Sequence, residues 1–198
     1  SDDDVTLVDL RVPDESTAIE IFRNGPKPRG RLADWNMSLK LGASSLKTFD
    51  PMPVLVNMTS EVPGLRQHSS VLYTVLSELY NNALEHGVLG LESSIKSSVK
   101  GFTEYYNMRK ERLADLIDAA ITIDFTHDMS ALGGVLTIRM TDSGEGFIQS
   151  NEIPGDDKPN FFGRGLTLIE SICEEVTIIP PGNAVEVRFR WEFDQIGL

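Results

Sequence analysis

Between Ser69 and Val88 the residues Leu72, Val75, Leu76, Leu79 and Ala83 recur at helical spacing. Apolar side chains three or four residues apart line one face of an α-helix, and such a face is buried. Elsewhere the period changes to two. Trp35-Asn-Met37-Ser-Leu39-Lys-Leu41 alternates cleanly, and Ile121-Thr-Ile123-Asp-Phe125 and Gly134-Val135-Leu-Thr-Ile138-Arg-Met140 read as further strands. A turn at 128–134 joins the last two. Val176-Thr-Ile178-Ile179 and Val185-Glu-Val187-Arg-Phe189-Arg-Trp191 close the chain as two more strands, joined by Pro180-Pro-Gly-Asn183.

Other elements follow from local signals. Asp50 can cap and Pro51 is pre-shaped for a first turn, which predicts a helix from Pro51 to about Val62, ended by Pro63-Gly64. Residues 91–120 read as a more polar helical segment, with Tyr105, Met108, Leu113, Leu116 and Ile117 as a partial apolar stripe. Residues 147–162 lack periodicity and read as a loop, and a helix should run from near Gly165 to about Cys173. The first twelve residues form a strand-like run after an acidic cluster, and 13–33 read as a linker. The expected division is therefore an N-terminal segment over 1–33 and one domain over 34–198.

Net charge bounds the partners. A charge of −12 disfavours broad nucleic-acid binding, which needs a basic face. No run of eighteen apolar residues is present, so no membrane span is expected. One cysteine, Cys173, allows no internal disulfide and fits a reducing, cytoplasmic setting; in its apolar run it reads as a small core residue.

Three motifs carry chemistry. Glu78, Asn82 and His86 stand four residues apart, so a regular helix would project them from nearly one face. A carboxylate can act as a base and an amide oxygen can ligate a hard cation. Polar residues at that spacing also arise on any solvated helix. Asp142-Ser-Gly-Glu-Gly146 follows a strand directly. It is either a strand-ending turn or a carboxylate placed to accept from a ligand amino group, with glycines that let backbone pass close by. Gly163-Arg-Gly165 opens a helix after the loop, where glycine-rich backbone can cradle phosphate and Arg164 can add a charge-assisted contact or lie solvated. The Walker spacing is absent.

Taken in order, these motifs resemble the ATP-binding domain shared by histidine kinases, gyrases, heat-shock chaperones and mismatch-repair ATPases. Asn82-Ala-x-x-His86-Gly87 and Gly163-Arg-Gly-Leu166 look most like the anti-sigma-factor serine kinases. The resemblance covers roughly residues 35–192. It implies an α/β fold, a two-layer sandwich with a mixed, mostly antiparallel sheet and helices on one face. It implies ATP and Mg²⁺ as cofactors, Glu78 as general base, Asn82 as Mg²⁺ ligand and Asp142 as adenine reader. Gly144, Gly146, Gly163 and Gly165 would shape pocket and lid, with Arg164 among the nucleotide contacts. The implied partners are a small anti-sigma-factor antagonist phosphorylated on serine, or a sigma or anti-sigma factor, in a bacterial partner-switching pathway. A homodimer would fit that group.

The sequence departs from the pattern in two places. The last strand opens on Gly182-Asn-Ala-Val185 in place of a threonine pair, and the segment 91–120 looks like an insertion, either solvated or partner-binding. At the N-terminus, Asp2-Asp3-Asp4-Val5-Thr6-Leu7 resembles the end of PP2C-type phosphatases; an acidic tail is the plainer reading. That likeness implies a C-terminal piece of a phosphatase–kinase protein, with Asp3 a stranded metal ligand and no phosphatase activity. Two rival functions stay open: a partner-binding module with little ATP turnover, and a histidine kinase catalytic domain. No dimerisation helix with a phosphoacceptor histidine precedes the domain.

Overall fold

The alternating segments pair into one sheet. This computed structural model describes residues 8–11, 34–62, 64–92, 95, 99–130, 132–146 and 164–193. The expected linker 13–33, the acidic cluster at 1–7 and the loop 147–162 lie outside the described residues. The strands are β1 (Val8–Arg11), β2 (Trp35–Gly42), β3 (Ala120–Met129), β4 (Gly133–Asp142), β5 (Glu175–Ile179) and β6 (Ala184–Glu192). Their order across the sheet is β1-β2-β3-β4-β6-β5, and every pairing among them is antiparallel. The expected turn at 128–134 is shorter than its sequence suggested, because β3 and β4 run on to Met129 and from Gly133.

Side-chain parity sorts the sheet into two faces. One face carries the row Met37, Phe125, Ile138 and Val187, followed by Leu39, Ile123, Met140 and Val185. Helices cover this side. On the other face Asp124, Arg139 and Glu186 stand opposite one another, and Arg139 pairs with Glu186 at 2.8 Å. The molecule is thus an α/β two-layer sandwich.

The helices are α1 (Ala43–Thr48), α2 (Met52–Glu61), α3 (Ser69–Asn81), α4 (Val99–Ala114) and α5 (Arg164–Ile172). Asp50 starts α2 as expected, with Oδ1 accepting the Met52 N–H at 3.0 Å. The apolar face of α3 is buried at Leu72, Val75, Leu76 and Leu79, and continues through Ala83. Each of the larger side chains there contributes about 2 kcal/mol by leaving water. Leu166 and Ile169 of α5 join the same core. Helix α1 was not anticipated; only Leu46 in it is buried, too little for a visible period.

The helical reading of 69–88 needs one correction. The α-helix ends at Asn81, and Asn82–Val88 continues as a π-helical turn. In 91–120 the stripe also differs: Tyr105 is fully buried and Met108, Leu113 and Leu116 are partly so, but Ile117 is 92% exposed. It lies beyond α4, on the way into β3.

Candidate functional site

Asp142 is placed by parity. It follows Leu136, Ile138 and Met140 on β4 and shares their face, directly opposite Ile121. Its carboxylate therefore points to the helix layer, past the last apolar row. There it meets Gly87. A Cβ on Gly87 would overlap the Asp142 carboxyl group, so only hydrogen fits between them. The carboxylate is half-buried, and its Oδ1 accepts the Gly144 N–H at 2.8 Å. Burial pushes the Asp142 carboxyl up to about 6, against the opposing pull of the Gly144 N–H. Asn183 anchors the backbone: its Nδ2 donates to the Asp142 carbonyl at 3.1 Å, and its carbonyl accepts the Asp142 N–H at 2.9 Å. The stretch Gly182-Asn-Ala-Val185 thus holds the strand end, with Ala184 buried beside Thr141.

Glu78 is placed by α3. Its carboxylate lies against Gly165 in the first turn of α5, where a Cβ would overlap Oε2. That end of a helix favours negative charge. Asn82, half-buried, follows Glu78 by one α-helical turn, and its N–H donates to the Glu78 and Leu79 carbonyls.

His86 does not continue the stripe. In the π register Leu89 N–H reaches back five residues to the Leu84 carbonyl, at 2.8 Å. Residues five apart then share a face, where an α-helix would set them about 140° apart. Gly87, five residues after Asn82, is thereby brought toward the Asn82 face. The His86 Nδ1–H instead donates to the Leu91 carbonyl and closes the loop after the turn.

The described glycines each have a distinct job. Gly144 lies so close to Gly87 that a Cβ would overlap the Gly87 carbonyl. Gly146 has φ +73° and sits against Pro181. Gly163 lies outside the described residues, and Arg164 opens α5.

Sequence reasoning missed several residues here. Gly87 is one of them, since its approach to Asp142 depends on a change of pitch after Asn82 that the sequence does not announce. Glu85, in the π turn, accepts the Tyr105 hydroxyl at 2.6 Å and Arg109 Nε at 3.0 Å. Burial, and then the bond to Glu85, hold the Tyr105 hydroxyl protonated far above its ordinary range. Arg112 Nη1 donates to the carbonyls of Leu89 and Gly90, both at 2.7 Å. Helix α4 is therefore no free appendage: Tyr105, Arg109 and Arg112 hold it to the end of the Asn82 turn. Its other side carries Phe102 and Tyr106, about half exposed and packed edge to face at 5.1 Å.

Among the described residues no group of three or more His, Cys, Asp or Glu side chains is placed to hold a metal. Mg²⁺ needs no such cage, because it keeps several waters and uses substrate phosphates beside one or two protein oxygens. The side-chain amide of Asn82, one α-helical turn after Glu78, can supply one such oxygen. No helix among the described residues is long and apolar enough to cross a membrane. No protein-family model matches this chain, and no curated protein aligns with it significantly.

Proposed function

We propose that this chain is an ATP-binding, anti-sigma-factor-like serine/threonine kinase domain that phosphorylates a partner protein. One observation carries the reading. Three motifs far apart in sequence converge through two close approaches at glycine, Gly87 on Asp142 and Gly165 on Glu78. A solvated polar stripe and a strand-ending turn give no reason for either contact.

In this reading the half-buried Asp142 accepts from the adenine amino group through the oxygen that Gly144 leaves free. Asn82 would hold Mg²⁺, which would supply charge neutralisation at the phosphates. Glu78 accepts the proton of the partner's serine hydroxyl as that oxygen takes the γ-phosphoryl group and ADP leaves. Most of the acceleration comes from positioning. The partner is a small anti-sigma-factor antagonist, or a sigma or anti-sigma factor that is sequestered.

The experiment is phosphotransfer from labelled ATP to a cognate antagonist, wild type against Glu78→Ala. Loss of transfer with ATP binding retained is expected; transfer that survives unchanged removes Glu78 from the base role. A second reading, a partner-binding module with little ATP turnover, is favoured by the exposed Phe102 and Tyr106 pair and by Ala184 where the family has threonine. Calorimetry separates them: no Mg-ATP binding at millimolar nucleotide supports the module. The histidine kinase reading has least support. His68 packs on Phe189, His86 is bonded to Leu91, and His127 is buried between Trp35 and Trp191.

A further inference from the structure

π turns are rare and bond less well than α turns, so one that persists is held by its surroundings. Here the holding groups come largely from one helix. Tyr105, Arg109 and Arg112 stand at i, i+4 and i+7 on α4 and share a face. That face meets the π turn and the residues just after it, at Glu85, Leu89 and Gly90. Two of the bonds end on the Glu85 carboxylate, inside the turn. The other two satisfy carbonyls at its end. Asn82 opens this turn, and Gly87 near its end touches Asp142.

We infer that α4 is a clamp that holds Asn82–Val88 in π register, with Glu85, Tyr105 and Arg109 as positioning residues for the Mg-nucleotide site. This rests on the nucleotide reading above. The clamp sets Asn82 and Gly87 on one face, so the amide that would hold the cation and the carboxylate that would hold the base stay in fixed relation. Release of Glu85 lets the turn relax toward α spacing, which swings Gly87 away from the Asn82 face. Asp142 is held independently, by Asn183 and Gly144, so the loss falls on the cation side of the site.

The test uses the full chain with Tyr105→Phe, Arg109→Met and Arg109→Lys, read in two ways. The first is amide hydrogen exchange at Leu89, which donates in the π register, compared with core amides of β3 and β4. Exchange at Leu89 at least about tenfold faster in Tyr105→Phe or Arg109→Met, with β3 and β4 unchanged, is expected for local opening. The second is affinity for ATP in Mg²⁺ and in excess chelator. The gain in affinity from Mg²⁺ should shrink about tenfold, as when a group supporting a metal ligand is removed. Mg-free binding should stay within about twofold, and Arg109→Lys should recover most of the gain. Merely structural damage would move both conditions together. If Leu89 exchange is unchanged in both Tyr105→Phe and Arg109→Met, the clamp is overturned. If wild type gains nothing from Mg²⁺ while Leu89 exchange responds, the nucleotide reading fails and the mechanical clamp stands without its positioning role. If wild type gains and the variants gain equally, the positioning role falls and the nucleotide reading stands.

Discussion

Replacing Asp142 with asparagine changes the charge of the site and almost nothing of its shape. Oδ1 can go on accepting the Gly144 N–H, and the side chain keeps its length beside Gly87. The wild-type carboxyl titrates at about 6 when folded, against 3.8 as the ordinary value. At about 1.4 kcal/mol per pH unit, a fully buried group with that displacement would cost the folded state about 3 kcal/mol once ionised. Asp142 is half-buried, and solvent screening brings the figure to about 1.5 kcal/mol. The direction follows from proton counting. Between 3.8 and about 6 the folded protein holds a proton that the unfolded chain has released, so stability falls as pH rises through that window. Above it the cost is constant; below it the cost is gone. Asp142→Asn should therefore be more stable than wild type by about 1.5 kcal/mol at neutral pH, with the advantage fading toward pH 4. Urea unfolding across that range measures it. The same variant should lose ATP, because with Oδ1 on Gly144 its Nδ2 meets the adenine amino group donor to donor. A variant no more stable at neutral pH, or equally favoured at pH 4, refutes the claim that burial of charge is what Asp142 bears.

The glycine contacts give sharper contrasts. Gly165→Ala should fold about as well as wild type, since alanine favours a helix by about 0.5–1 kcal/mol and the overlap is with the movable end of Glu78. It should still lower phosphotransfer at least about tenfold by displacing the base. Gly144→Ala meets backbone at Gly87, which cannot swing aside, and should cost about 1–3 kcal/mol in chemical unfolding. Gly64→Ala is a control far from the site in sequence. Its φ of +93° and its contact with the Trp191 ring predict a loss of about 2–4 kcal/mol with no specific change in nucleotide affinity at saturating stability.

Most of the frame was legible because it rests on period. Leu72 to Ala83 and the alternating strands repeat one rule over many residues, and the buried rows obey it. Asp142 was legible for the same reason, since its parity with Leu136, Ile138 and Met140 sets its face. What failed was an assumption of constant pitch. The Glu78–Asn82–His86 stripe presumes four-residue spacing throughout, and the change to five after Asn82 has no signature in its own residues. Its cause lies elsewhere, in Tyr105, Arg109 and Arg112. Those three were visible as an i, i+4, i+7 set, but nothing in the sequence pairs them with Glu85.

Several unfavourable local choices meet around Asp142. A carboxylate is kept half-buried at Asp142, a π turn is maintained beside it, and glycines stand where backbone entropy argues against them at Gly87, Gly144 and Gly165. Each costs stability by itself. Selection for folding alone would replace Asp142 with an apolar or amide group, fill the glycines and restore α pitch. Local rules broken together, at positions brought next to one another from distant parts of the chain, are better explained by a ligand than by the fold. The aromatic lock at the far end of the sheet makes the comparison. There Trp191 donates to His127 at 3.3 Å and stacks on it, and Gly64, with φ +93°, gives way to the ring, so the strain at Gly64 is answered by packing in the folded chain itself. The packing around Asp142 and Glu78 gives no such answer, and that difference is what favours this end for the proposed nucleotide.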